Sequence, residues 1–184
     1  MPAEGPSARR SPLDGELIRL RALTEADAEP LNPKFSDLDV LLGLGKIPFP
    51  QSLDGFREFV RRQSEDDTQI HLVIETLDGC PIGICGLMDL DRHSRQGKAG
   101  IWIARDHWNA GAGTDAMRTL CRWGFGELNL HRIWLLVHST NPRAIRAYEK
   151  VGFVKEGTQR DDHFIDGRFI DTHVMGLLEH ESDG

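Results

Sequence analysis

The sequence predicts a single domain of α+β class, a mixed α/β arrangement in which strands come first and then alternate with two helices. Three observations carry that reading. Short alternating or wholly apolar runs recur between turn signals, as strands do. Two Asp-Gly pairs, Asp78-Gly79 and Asp166-Gly167, stand where hairpins would turn. Late in the chain, two stretches take helical spacing on either side of a near-continuous apolar run, the pattern of a strand buried on both faces. At 184 residues the chain has one domain's length and can bury a core without disulfides or metals.

Glu16–Leu23 (ELIRLRAL) alternates apolar and polar residues and is the first strand. Thr24 caps the helix that follows, with acids in its first turn. Pro30 and Pro33 are expected to cut that helix short. Asp37–Leu44 is a second short helix, and GKIPFPQS is a loop. Ser52 or Asp54 then opens an amphipathic helix with Phe56, Phe59 and Val60 on one face. Ile70–Thr76 and Ile82–Leu90 are strands joined at Asp78-Gly79, and Lys98–Ala104 is another. From Thr114 a helix places Met117, Leu120, Gly124 and Leu128 at core spacing, with Arg118 and Arg122 outside. Ile133–Val137 is the buried strand. Pro142–Lys150 is a helix closed near Gly152. Phe153–Glu156 and Phe169–Leu178 complete the sheet, with Asp166-Gly167 turning between Phe164-Ile165 and Phe169.

Acidic residues outnumber basic ones, 29 to 22, giving a formal net charge of −7. That balance counts against a general nucleic-acid binder and suits a neutral or cationic partner. The three cysteines (Cys80, Cys85, Cys121) are too few for a disulfide scaffold and match no zinc spacing, so no metal is expected and the thiols read as those of a cytoplasmic protein. No stretch approaches the roughly 20 apolar residues of a membrane helix. The opening MPAEGPSARRSPLDG lacks the apolar core of a secretory signal. Residues 1–14 are expected to be a flexible tail and 15–180 the domain.

Two segments carry chemistry. Trp108-Asn109-Ala110-Gly111-Ala112-Gly113-Thr114 lies between a predicted strand and a predicted helix. Its glycines let the backbone bend and approach a ligand closely, and the open amides of the next helix make an anion site that suits pyrophosphate. The same pattern also serves as a plain turn. No Lys follows the last glycine, as a Walker loop needs, and Ala116 stands where a dinucleotide fingerprint needs a third glycine. The second segment runs from Asn141 to Phe153. Asn141 caps its helix, and Tyr148, the one tyrosine of the chain, lies two turns in on the face of Ala144. A phenol with a pKa near 10 can protonate a leaving thiolate at neutral pH, or it can simply sit at the rim of a core.

Strand, glycine loop, helix, buried strand and then N-x-x-A-x-x-x-Y-E-K-x-G-F together resemble the GNAT superfamily of acetyl-CoA-dependent N-acetyltransferases. The resemblance runs from Leu17 to Leu178 and is most specific over Ile101–Phe153. The family's R/Q-x-x-G-x-G/A loop keeps its spacing here as W-N-A-G-A-G. Trp108 with Thr114-Asp115-Ala116, then LNLHRI and DGRFIDTHVM, look like the RimJ/RimL-type branch of ribosomal-protein and spermidine N-acetyltransferases.

The resemblance implies a mostly antiparallel, twisted sheet with helices on both faces. It also implies a V-shaped split between the strands at Ile101–Ile103 and Ile133–Val137. Pantetheine would lie along Ile101, Trp102 and Ile103. The loop of Trp108, Asn109, Gly111, Ala112, Gly113 and Thr114 would hold the pyrophosphate through its amides, and Asn141 would touch a pantetheine amide. Arg143, Arg146 and Lys150 would meet CoA phosphates or remain solvated helix charges.

The implied chemistry is direct transfer. A neutral amine attacks the thioester, a strand N–H stabilises the oxyanion, and Tyr148 protonates the departing sulfur. Many relatives carry a carboxylate base on the strand before the loop, where Ala99-Gly100 stand here. His138 is one substitute; Asp89, Asp91, His93 or a water chain are others. Cys85 and Cys121 have no His partner in sequence, against a thiol nucleophile. Spermidine-type relatives carry paired acids after the early helices. Here that loop is apolar and slightly basic, which leaves protein N-termini, amino acids, amino sugars or aminoglycoside-like amines as acceptors. Asp161-Asp162 with His163 would attract a cationic amine or form a solvated turn, and Phe49, Phe164 and Phe169 would line an acceptor pocket or join the core. A homodimer is expected from relatives of this branch. A catalytically silent acyl-CoA sensor and an ATP- or NAD-binding protein are the competing readings.

Overall fold

Alternation turns Ile18 and Leu20 of β1 (Ile18–Ala22) into the core and leaves Arg19 outside. The molecule, seen in a computed structural model, is described for residues 11–45, 49, 51–63 and 68–182. Six further strands follow: β2 (Ile70–Thr76), β3 (Pro81–Asp91), β4 (Gln96–Ile103), β5 (Arg132–His138), β6 (Val154–Ile165) and β7 (Arg168–Leu178). They form one sheet in the order β1-β2-β3-β4-β5-β7-β6. Every neighbouring pair is antiparallel except β4 and β5. This is the mixed, mostly antiparallel architecture that the sequence predicts.

Helices cover both faces. On one, α1 (Ala28–Phe35), α2 (Leu38–Gly43) and α3 (Leu53–Gln63) bury Leu31, Phe35, Leu41, Phe56 and Val60 against Val73 and Ile84. On the other, α4 (Ala112–Gly126) and the tyrosine of α5 (Pro142–Val151) bury Met117, Leu120, Cys121 and Tyr148 against Ile133, Leu135 and Leu177. The even- and odd-numbered residues of β4 therefore belong to different cores. Trp102 packs on Phe35 with ring centroids 5.1 Å apart, whereas Ala99 and Ile103 sit under α4.

Three elements depart from the expected bounds. A 3-10 turn over Glu25–Asp27 precedes α1, which then runs through both prolines to Phe35. Pro30 falls in the first turn, where amides have no helical acceptor to lose. Pro33 is interior and costs roughly 3 kcal/mol. Burial of Leu31 and Phe35, at roughly 1.5–3 kcal/mol each, offsets it. Helix α4 begins at Ala112, two residues before Thr114, and Leu128 lies past its end. Strand β6 is longer than Phe153–Glu156 suggests, because two register irregularities let it bend and keep pairing with β7 as far as Ile165.

The expected tail over residues 1–14 lies outside the described residues as far as residue 10. Ser11–Asp14 rest on the domain. Asp14 bridges to Arg19, Leu13 packs on the core, and Arg122 donates to the carbonyls of Pro12 and Asp14 at 3.4 and 2.8 Å.

The approach to β1 is fixed by one buried carboxylate. Asp115, 5% exposed in the first turn of α4, accepts from the amides of Glu16, Leu17 and Ile18 at 3.2, 2.7 and 3.2 Å. Asp115→Ala would leave those amides without acceptors. It is expected to lower unfolding stability by about 2–4 kcal/mol, and Asp115→Asn by less. Chemical denaturation measures both.

Candidate active site

Strands β4 and β5 pair only at Gln96–Lys98 with Arg132–Trp134. Beyond Lys98 they diverge, and the gap opens into a cleft of about 770 Å³. The backbone facing it follows from strand geometry. Ala104 donates to the Ile82 carbonyl at 2.7 Å, so the amide and carbonyl of Trp102 also face β3. Those of Ile101 and Ile103 consequently face the gap. Ile103 spends its carbonyl on the indole N–H of Trp108, at 2.7 Å. Ile101 keeps both groups for a ligand. Of the expected pantetheine strand, Ile101 and Ile103 thus present backbone to the cleft, and Trp102 presents its ring.

The glycine loop ends the gap. Asn109 (φ +61°) and Gly111 (φ +88°) take left-handed backbone, which turns the chain into α4. The amide of Asp115 makes the first helical bond, to the Gly111 carbonyl at 3.0 Å. The amides of Ala112, Gly113 and Thr114 precede it and have no helical acceptor, so the helix presents the open N-terminus that an anion requires. Across from it, the guanidinium of Arg143 lies 3.4 Å from the centre of the Trp108 ring. Burial lowers its pKa from the ordinary value. Arg146 and Lys150 follow at helical spacing and line the same cleft.

Asn141 caps α5, its Oδ1 accepting from the Ala144 amide at 3.1 Å. Its Nδ2 is directed toward Gly43 of α2. Tyr148 is 9% exposed, its ring edge-on to Phe153, yet it lines the cleft. Burial pushes its phenol up to about 12, with Arg143 pulling the other way.

His138, at the end of β5, is buried against the turn that ends α2. Its Nδ1 lies 3.3 Å from the Thr172 hydroxyl, and its ring meets that of His163 edge-on at 4.6 Å. Burial, then His163, lowers its pKa below the usual imidazole value; the Leu44 carbonyl and Asp162 oppose the shift. His163 in turn bonds Asp162 at 2.7 Å.

A family model for the acetyltransferase (GNAT) domain matches residues 18–154. The chain belongs to the GNAT acetyltransferase family. It is an N-acetyltransferase, moving an acetyl group from acetyl-CoA to an amine. Among curated relatives, the spermidine N(1)-acetyltransferase of Vibrio cholerae serotype O1 is 28% identical over 162 residues, 88% of this chain and 93% of that one. The putative ribosomal N-acetyltransferase YdaF of Bacillus subtilis is 32% identical over 175 residues, covering 92% and 95%. The crystal structure of spermidine N-acetyltransferase from Vibrio cholerae in complex with CoA and spermine superposes with a TM-score of 0.83 at 28% identity, covering 90% and 97%.

The acetyltransferase cleft gathers most of the residues singled out from the sequence, but not all. Asp91 accepts from the amides of His93 and Ser94 in the exposed turn after β3; neither they nor Asp89 line the cleft. Phe164 and Phe169 meet edge-to-face at 5.1 Å on the exposed β6–β7 hairpin, and Phe49 is exposed, so these three form neither pocket nor core. The cleft's aromatic wall is instead Phe35, Phe56, Phe59 and Trp102. The thiols of Cys85 and Cys121 are buried in the core and pushed well up, which rules them out as nucleophiles. Sequence reasoning passed over Lys98 and Thr172. The alternation Lys98, Gly100, Trp102 against Ala99, Ile101, Ile103 could have placed Lys98.

Gly45 sits at φ +67° against His138, and a Cβ there would overlap the imidazole Nε2. Gly45→Ala is expected to cost about 1–3 kcal/mol through strained backbone alone and to displace His138. Thermal unfolding and turnover of the variant, measured together, check it.

Proposed function

We propose that acetyl-CoA lies in the gap between β4 and β5 and that Tyr148 protonates the departing CoA thiolate. The observation that carries this reading is one continuous cleft. It joins the free amide and carbonyl of Ile101, the open N-terminus of α4 and the buried phenol of Tyr148. The pyrophosphate would rest on the amides of Asn109, Gly111, Ala112, Gly113 and Thr114. Arg143, stacked on Trp108, would meet a phosphate, with Arg146 and Lys150 beyond it. Asn141 would donate from Nδ2 to a pantetheine carbonyl, since its oxygen is already used.

The chemistry then balances with this chain's own groups. The neutral amine forms a C–N bond to the thioester carbonyl carbon, and the Ile101 amide donates to the oxyanion. The C–S bond breaks as Tyr148 gives its proton to sulfur. Burial, which holds the phenol up to about 12, keeps that proton in place at neutral and alkaline pH. We assign His138 as the outlet for the amine's proton. The Thr172 hydroxyl, 3.3 Å from Nδ1, takes that proton as it gives its own to Nδ1, and the Leu44 backbone also bonds the ring. Burial keeps the imidazole neutral and able to accept.

The acceptor is a protein N-terminus, an amino acid, an amino sugar or another small amine. The relatives are named for more than one such class, which is in keeping with a RimJ/RimL-like branch. A cytoplasmic homodimer belongs to the same reading. It is supported by free cysteines among the described residues and by the exposed Phe164–Phe169 pair. No described helix is long and apolar enough to cross a membrane.

Tyr148→Phe is expected to lower kcat about 10²–10⁴-fold while leaving the affinity for acetyl-CoA within a factor of about two. Steady-state kinetics and calorimetry read the two separately. No CoA release from the wild type with any amine of a broad panel would favour a silent acyl-CoA sensor. With Tyr148 protonated, kcat is expected to show no alkaline fall between about pH 7 and 10. A fall there that disappears in Tyr148→Phe would mean that the phenol ionises in that range.

A further inference from the structure

The two faces of β4 divide the cleft. Ala99, Ile101 and Ile103 look toward α4 and the phosphate loop; Lys98, Gly100 and Trp102 look toward α1 and α3. The second side is where an acceptor amine would approach the thioester. Among the described residues that line the cleft there is no Asp and no Glu, on either side. Asp161 and Asp162, expected from the sequence to attract a cationic amine, do not line the cleft; Asp162 lies just behind its wall, bonded to His163 at 2.7 Å and beside the Thr172 hydroxyl.

The side chain that takes the opposite sign is Lys98. It stands at the apex, at the last β4–β5 pair, with Met88 opposite it on β3 and Trp134 on β5. Its ammonium lies 5.5 Å from the Trp134 ring centre, and no described carboxylate comes within ion-pair distance of it. Among the described residues, the titratable groups that share this side of the cleft with Lys98 are His71 on β2, His138 on β5 and His163 on β6, the last bonded from behind by Asp162. Ile101 lies three residues along the strand, about 10 Å away. An amine held for attack beside Ile101 therefore places a group several bonds removed within reach of Lys98.

We infer that the acceptor is an amine that also carries an anionic group, a carboxylate or a phosphate, and that Lys98 is the specificity residue that receives it. The inference rests on the acetyltransferase reading of the cleft and deepens it. An anion at Lys98 supplies the charge-assisted contact that a polyamine lacks. A polycation, by contrast, would meet a like charge at Lys98 and, among the described residues that line the cleft, no carboxylate.

Matched acceptors test it on the purified full chain, with CoA release as the readout. L-phenylalanine is compared with phenylalaninamide, phosphoethanolamine with ethanolamine, and spermidine serves as the polycation. The expected result is a kcat/KM at least about tenfold higher for an acid-bearing amine than for its neutral partner. It holds despite the lower basicity of the amide's amine, which favours the amide when no contact is made. The pair that shows the preference tells carboxylate from phosphate. Lys98→Gln is expected to lower that ratio about tenfold and Lys98→Arg to keep most of it. Spermidine turned over as well as the best acid-bearing amine would overturn the inference while leaving the transferase intact, as would an acid-to-neutral ratio unchanged in Lys98→Gln. Acetyl-CoA binding with no turnover of any amine would overturn the transferase reading and this inference with it.

Discussion

Three consecutive residue pairs hold β4 against β5, and almost everything the protein does depends on the pairing stopping there. A parallel ladder that continued past Lys98 would satisfy the backbone of Ile101 internally and close the molecule. Instead, two different cores pull the strands apart. Trp102 is drawn to Phe35 on one face, and Ile103 is drawn under α4 on the other. The result is strand backbone in the middle of a sheet with its hydrogen-bonding groups open, a situation that proteins otherwise confine to edges. A ligand able to pair like a strand is the natural occupant.

The cleft also separates two electrostatic tasks. At the outer end, backbone amides and the stacked Arg143 suit phosphates without making the surface basic, which is how a chain of net charge −7 can hold a polyanion. At the inner end, burial rather than ion pairing sets the proton affinities. Tyr148 is pushed up and His138 down by the same loss of solvent, the directions that the proposed donor and acceptor roles require.

Elements whose sequence signal is local were legible in advance. The Asp-Gly hairpins, the Asn141 cap, the α5 periodicity and that of α4 as far as Gly124 fell where expected, because capping and turn chemistry are decided within a few residues. Helix α1 was misjudged because the cost of Pro33 is local, whereas the gain from Phe35 comes from residues far along the chain. The glycine loop and Tyr148, both legible in advance, line the cleft. Its opposite side was not legible, since it is assembled from six strands and three helices, each giving a few unremarkable residues. Thr172 and Lys98 become informative only when the register places them beside His138 and Trp134.

The bond between the Trp108 indole and the Ile103 carbonyl has a consequence for alignment. An extended guest pairing with β4 finds an acceptor at Ile101 but not two residues further out, where the ring has already taken it. A guest that slid outward by one strand repeat would lose an amide partner outright, so the tryptophan acts as a stop that indexes the incoming chain. The same ring carries Arg143 on its face. In the proposed binding mode, one side chain would therefore set both how far the acyl donor enters and where the cation nearest its phosphates stands.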